Sequence, residues 1–315
     1  MNAQGTLFGT TNGGGETPCY CGTVFELQPP AKMGSAWTFS ALHSFAGGKD
    51  GAYAGQKLAL AGDGSLFSVT TSQGDPNCTS RCGTVFELAP PAAGQTSWTE
   101  TVLHRFTGGA DGGQPRGSLL LLPSGVLYGT TGYAGSFGAG TIFRLTPPGT
   151  GKTIWKETVL YSFKGTTDGY DPNGAMARDK TGNLYGITEN GGQGIGVIFQ
   201  LTPPASGQKT WTETPLYSFS GGTGGEYPAG GVLLSNSGSL FGVVGDAADT
   251  AVWELTPPSG GTGPWTEKYA YTYVGSSASV PLSVGGTLYL ASSQGGISCS
   301  ANPSYGCGFI FSIAR

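Results

Sequence analysis

The sequence predicts an all-β protein, a β-propeller of four-stranded antiparallel blades, six in number with the first and last incomplete. Three observations lead there. Strand-like phrases recur in fixed order along the whole chain, successive copies lie 48 to 61 residues apart, and no window shows the i, i+3, i+4, i+7 apolar spacing of an amphipathic helix.

Each repeat opens with a short apolar strand, A: Lys57–Leu60, Ser118–Leu122, Ala175–Arg178, Val232–Leu234 and Pro281–Val284. A turn leads into strand B, marked by Leu7-Phe8, Leu66-Phe67, Leu127-Tyr128, Leu184-Tyr185, Leu240-Phe241 and Leu288-Tyr289. Strand C carries the phrase GTVFELxPP at Gly22–Pro30, Gly83–Pro91, Gly140–Pro148 and Gly196–Pro204, in degenerate form at Ala251–Pro258, and in a last copy at Gly308–Ile313. Strand D begins at Trp37, Trp98, Trp155, Trp211 and Trp265. β-Branched and aromatic residues fill these phrases, and Gly, Pro, Asn or Asp bound them, which is the signature of strands joined by turns. The double prolines cannot donate ladder hydrogen bonds and so end strand C.

A four-stranded unit of this length, repeated, is a propeller blade: each sheet buries a face on the next and only short edges remain. A linear solenoid is the alternative, but its rungs are usually shorter than a complete four-stranded meander. The repeat units run approximately 1–45, 46–106, 107–163, 164–219, 220–273 and 274–315 of one domain. The chain opens at strand B and closes after strand C. Its first residues, Met1–Phe8, resemble the A–B turns that precede Leu66 and Leu184.

Composition narrows the function classes. Gly 58 and Pro 20 in 315 residues would suggest disorder in an aperiodic chain. The repeat, with 6 Trp, 14 Tyr and 15 Phe, excludes that. The glycines do not fall every third residue, so collagen is excluded as well. No apolar run approaches the roughly 18 residues of a membrane-spanning helix. Only 11% of residues are charged, and a net charge of −4 with 15 Lys+Arg argues against a nucleic-acid partner. There is no phosphate loop, dinucleotide fingerprint or Ser-His-Asp constellation.

The phrases LYGTT…GG…GTIFRLTPP at Leu127–Pro148 and WKETVLYSFKGTTDG at Trp155–Gly169 resemble the Gloeobacter–Verrucomicrobia (GloVer-type) tandem repeat of choice-of-anchor proteins, and the resemblance runs through essentially the whole chain. It implies a bacterial protein that is exported and lives at the cell surface or outside the cell, and it implies no defined reaction. The opening residues have neither a basic start nor an apolar run, so an export signal is expected outside this chain.

The six cysteines form three pairs, each in a B–C loop: Cys19 and Cys21, Cys78 and Cys82, Cys299 and Cys307. In every pair the second cysteine precedes the glycine of strand C. This register favours repeated loop disulfides and an oxidising compartment. A bridge across the single residue between Cys19 and Cys21 would be tight. A zinc site, whose usual paired spacing and histidines are missing, and free buried thiols are the alternatives.

In an up-and-down blade the A–B and C–D connections share one rim, and the B–C and D–A connections share the other. Seven glutamates recur on strands: Glu26, Glu87 and Glu254 on C, and Glu100, Glu157, Glu213 and Glu267 on D. They are expected on a solvent-facing edge. Asp63 and Asp179 fit A–B turns. Asp50, Asp111 and Asp168 each stand five residues after the strand D phenylalanine, before a glycine. They are turn residues first, and Ca²⁺ ligands as the alternative. The non-repeating acids Glu16, Asp75, Asp171, Glu189, Glu226, Asp246 and Asp249 all fall on the B–C/D–A rim. A single site must break the repeat symmetry, so that rim is the expected functional face. Asp171 and Glu226 are the candidate acid/base pair for glycoside chemistry. Arg116 and Arg178 are the unusual basic residues, suited to a carboxylate or acidic sugar. His43 and His104 occupy a strand D slot held elsewhere by tyrosine, which points to packing. The strand D tryptophans are expected in blade packing, or as sugar platforms if exposed.

The function these residues suggest is a secreted module that binds a glycan or other surface component through the B–C/D–A rim, with no resident cofactor beyond the Ca²⁺ alternative. A carbohydrate-active hydrolase or lyase is the second reading. A structural module that self-associates through its chain ends is the third.

Overall fold

The computed structural model of the chain describes residues 1–32, 34–55, 57–78, 81–221, 227–245, 249–261, 263–274, 281–284, 287–292 and 309–313. Among them there is no α-helix and one 3-10 turn, Gly48–Asp50; the remaining regular structure is β. Among the described residues no helix is long and apolar enough to cross a membrane. The chain divides into two compact units, Met1–Ser162 and Phe163–Arg315.

The first unit holds three antiparallel sheets. One joins β1 (Leu7–Thr11), β2 (Thr23–Gln28) and β3 (Thr38–Ser44), which are strands B, C and D. The next joins β4 (Ala52–Ala54) and β5 (Ala59–Leu60), both paired to β6 (Leu66–Ser72), followed by β7 (Thr84–Ala89) and β8 (Thr99–Arg105). The third runs β9 (Gly113–Leu121), β10 (Leu127–Tyr133), β11 (Thr141–Thr146) and β12 (Lys156–Ser162).

In the second unit, β13 (Tyr170–Arg178), β14 (Leu184–Asn190), β15 (Val197–Thr202) and β16 (Thr212–Ser218) make one meander. A second is made by β17 (Pro228–Leu234), β18 (Leu240–Gly245), β19 (Asp249–Thr256) and β20 (Thr266–Val274). The two inner strands touch through one parallel pairing, Ala175 with Gly231. A Cβ at Gly231 would stand 2.2 Å from the Ala175 nitrogen, so only glycine permits that approach. The last described sheet is β21 (Leu282–Val284), β22 (Thr287–Ser292) and β23 (Phe309–Ile313).

The same local chemistry builds each sheet. Five A–B turns share one hydrogen-bond pattern: Ala61 N–H donates to Ser65 C=O and Gly64 N–H to Ala61 C=O, and the copies at Asn2, Leu122, Asp179 and Ser235 repeat it. The opening residues are thus an A–B turn. Strands C and D skip one residue in every copy, as between Ile142–Tyr161 and Phe143–Val159. That bulge turns Leu103 and Leu160, each 9% exposed, inward. Strand C phenylalanine lies over the strand B glycine: a Cβ on Gly129 would meet the Phe143 ring at 2.4 Å, and one on Gly186 the Phe199 ring at 2.5 Å.

The core lies between successive sheets. The phenylalanine ending strand D packs edge-on against the strand C aromatic of the next sheet: Phe45 on Phe86 at 5.1 Å and Phe106 on Phe143 at 5.0 Å in the first unit, Phe163 on Phe199 at 5.3 Å in the second. All six rings are fully buried. T-shaped pairs of this kind add about 0.5–1.5 kcal/mol beyond their area.

Candidate binding rim

Strand D delivers the chain to the B–C/D–A rim through a loop closed by aspartate. The Ala46 N–H donates to Asp50 at 2.7 Å, Thr107 N–H to Asp111 at 2.9 Å and Lys164 N–H to Asp168 at 2.8 Å. These carboxylates do the work of turn residues. Burial alone would raise Asp111, but the His104 imidazole 3.6 Å away and the donors of Thr107 outweigh it and hold the carboxyl below its usual range. No three His, Cys, Asp or Glu side chains among the described residues stand close enough together to hold a metal. His43 lies 3.3 Å from Asp50 and, like His104, packs its ring edge-on against the strand D phenylalanine, at 4.8 and 4.7 Å respectively.

The B–C loops cover these D–A loops. Cys19–Cys21 and Cys78–Cys82 are disulfides, with Cα atoms 5.1 and 6.3 Å apart, inside the usual range. Cys299 and Cys307 lie outside the described residues. The first bridge stands against Gly47 and the second against Gly108, where a Cβ would sit 2.9 Å and 3.3 Å from sulfur. Each bridge is thereby stacked on the loop that follows its own strand D. Closing so small a ring stabilises by ~2 kcal/mol. Cys78→Ser/Cys82→Ser should lose about that amount in urea unfolding, and non-reducing alkylation of the unfolded wild type should label none of these four thiols.

From each bridge the backbone reaches the next sheet. Tyr53 N–H donates to the Cys21 carbonyl at 2.7 Å and Gln114 N–H to the Cys82 carbonyl at 2.8 Å. Both residues have positive φ, as do Asp171 and Tyr227 at the same repeat position. Tyr20, Gln73, Arg81 and Ala134 in the B–C loops complete the non-glycine set among the described residues, and all eight lie on B–C or D–A connections. Such conformations cost of order 1–3 kcal/mol each and persist only where surroundings enforce them.

Three of the eight, Tyr20, Tyr53 and Tyr227, are exposed tyrosines, and further aromatics stand beside them. Tyr20, Tyr53, Tyr133 and Phe137 are exposed on this rim of the first unit, and Tyr170 and Tyr227 on this rim of the second. Arg81 lies over the Tyr133 ring at 5.0 Å, a cation–π contact.

The expected site residues fall as follows. Asp171 is the second residue of β13 rather than a loop residue, and Glu189 is half-buried near the end of β14. Arg116 lies within β9, where its carbonyl accepts from Thr130 at 3.2 Å. Arg178 ends β13 at the opposite rim, exposed above the turn of Gly182. Its neighbour Asp179 accepts from Thr181, Asn183 and Tyr185, which outweigh burial and depress its pKa. Glu226 and Asp246 lie outside the described residues.

One expectation is corrected. Glu100, Glu157, Glu213 and Glu267 do not edge into solvent: each is half-buried with Oε1 buried and without a hydrogen-bond partner. Burial pushes Glu100 up to about 7 and Glu213 to about 8, and raises Glu157 and Glu267 as well. Asp50 and Asp168 add repulsion to Glu100 and Glu213, while His43, Arg105 and Lys164 offset part of it. A repeated Thr-Glu-Thr phrase carries no sign of which strand face a neighbouring sheet will cover.

The opposite rim of the first unit contains two grooves. One, of about 500 Å³, includes Phe8, Glu26, Gln28, Leu60, Asp63 and Trp98 in its lining. The other, of about 730 Å³, includes Leu60, Asp63, Phe67, Ser124 and Trp155.

The molecule is an all-β repeat protein of antiparallel sheets. Residues 1–157 match the Gloeobacter/Verrucomicrobia repeat family. No curated protein matches the chain. Among solved structures it is similar to the PQQ-bound aldose sugar dehydrogenase of Streptomyces coelicolor, with 14% identity, 98% of each chain covered and a TM-score of 0.51. It is also similar to a putative oxidoreductase (glucose dehydrogenase) of Thermus thermophilus, with 17% identity, 92% of this chain and 95% of that one covered and a TM-score of 0.49. The Streptomyces likeness is one of fold, and that fold is propeller-like.

Proposed function

We propose that the chain is an exported recognition module, a six-bladed propeller with short first and last blades, that binds a glycan or another cell-surface component through the B–C/D–A rim. The carrying observation is the set of exposed tyrosines on this rim, of which Tyr20, Tyr53 and Tyr227 stand on backbone held at positive φ and Tyr53 is tied to a disulfide loop. Tyrosine offers a rigid apolar face and a hydroxyl at low entropic cost, which suits sugars and protein surfaces alike. The low charge suits a neutral partner, and the disulfides suit an oxidising compartment.

Sugar oxidation with PQQ is the reading that the fold likeness raises. A tricarboxylate quinone would need cationic side chains and a base converging on one pocket. Neither groove of the first unit has Lys, Arg or His in its lining, so the residues there do not fit it.

Glycan-array binding by the wild type, weakened about tenfold by Tyr53→Ala or Tyr133→Ala, is the expected result. Arrays silent for folded protein would overturn the glycan reading, and release of reducing ends that Asp171→Asn abolishes would overturn the proposal of a binding module.

A further inference from the structure

The two grooves of the first unit lie on the rim that the proposed recognition site does not use, and together they form one track. Both are lined by Leu60 and Asp63, so the turn after β5 is the ridge between them. Each has an aromatic pair in its wall: Phe8 with Trp98 at 6.1 Å and 67°, Phe67 with Trp155 at 6.4 Å and 59°. Both tryptophans are half-buried, held by packing while part of each indole faces the groove. Each volume is of small-molecule size.

The polar lining selects the ligand class. In the first groove Gln28 Nε2 donates to Glu26 Oε1 at 2.8 Å, and Asn2 and Gln4 share the wall. In the second, Ser124 joins Asp63. Two carboxylates without a cation repel phosphate and acidic polymers. Aromatic faces alternating with amide, hydroxyl and carboxylate groups match a pyranose, which has an apolar C–H face and an equator of hydroxyls. The aromatic frame recurs with the repeat, and Asn2 caps its A–B turn as Asp179 does, whereas Gln4 and Gln28 have no counterpart in the other copies, so the first groove is specialised beyond what folding requires.

We infer that this track binds a neutral oligosaccharide long enough to cross the Leu60–Asp63 ridge and contact both Trp98 and Trp155. It is a second site, independent of the tyrosine rim.

The test is calorimetric and fluorescence titration of the full chain with cellohexaose, maltohexaose, laminarihexaose and, as the acidic control, hexagalacturonate. At least one neutral hexasaccharide should bind about tenfold more tightly than its own disaccharide, and hexagalacturonate should not bind. Trp98→Ala and Trp155→Ala should each weaken binding about tenfold. Gln28→Ala, at an exposed position outside the core, should weaken it severalfold with an unchanged melting temperature and covers the case in which a tryptophan variant fails to fold. Tyr53→Ala should leave this binding intact. Absence of binding by all three neutral hexasaccharides, or binding indifferent to Gln28→Ala and to whichever tryptophan variants fold, would overturn the inference. Binding removed by Tyr53→Ala alone would place the sugar on the tyrosine rim, sparing that proposal and sinking this one.

Discussion

Phe143→Ala is expected to destabilise the first unit by about 3–5 kcal/mol, measured by urea unfolding. The ring is fully buried, stands 5.0 Å from Phe106 of the preceding sheet, and covers Gly129 of its own strand B. Its removal empties the space where two sheets meet, and β-sheet backbone cannot collapse to fill it. Phe25 supplies the comparison. It holds the same register opposite Gly9, yet it is only half-buried and leans on exposed Phe39 at 5.4 Å. Phe25→Ala should therefore cost only about 1–2 kcal/mol. Gly129→Ala alone overpacks the same site and should cost about 1–3 kcal/mol. In the Phe143→Ala background the new methyl enters vacated space, so the double variant should be more stable than the two single losses imply. Additive losses would show that Phe143 and Gly129 are not in contact.

The way Phe143 covers Gly129 also explains which elements could be read in advance. Strands B and C keep an unbroken register, with Leu127 opposite Leu145, Gly129 opposite Phe143 and Thr131 opposite Thr141, so their runs of β-branched and aromatic residues bounded by turns reveal them. Strand A does not. The sequence suggests Ser118–Leu122 and Ala175–Arg178, whereas β9 begins at Gly113 and β13 at Tyr170. Register shifts opposite Tyr128–Thr130 and between Asn173 and Ala177, together with the positive φ of Gln114 and Asp171, break the alternation there. Chain connectivity alone put the cysteine loops and the D–A aspartates on one rim. It could not show that Tyr53 and Tyr133 stand exposed there, or that Trp98 and Trp155 line grooves on the other, because exposure depends on how far one sheet covers its neighbour. The glutamates of strand D failed for the same reason: Glu100 is one residue from Thr101 in a phrase that reads as a wet edge, and the preceding sheet covers it.

Those glutamates set the pH dependence of stability. Glu100, with an ordinary value of 4.5, is pushed up to about 7, Glu213 goes to about 8, and Glu157 and Glu267 move the same way. A carboxyl raised in the folded state holds its proton where the unfolded chain has lost it. Stability therefore falls as pH rises from about 4.5 through the folded values and levels off beyond them. Because these groups keep part of their hydration, the loss is discounted to ~1 kcal/mol each. Depressed Asp111 and Asp179 act in the opposite sense: their stabilisation is present above the ordinary value of 3.8 and disappears as pH drops through their folded values. The two trends leave a maximum in the mildly acidic range. Calorimetric melting between pH 4 and 9 should show it, with the wild type losing several degrees from pH 5 to pH 8.5. Glu100→Gln/Glu213→Gln removes two of the ionisations while preserving shape, so it should melt higher than wild type at pH 8.5 and nearly together with it at pH 5. A flat wild-type profile, or a double variant less stable at both pH values, would mean that these carboxylates are solvated between the sheets after all.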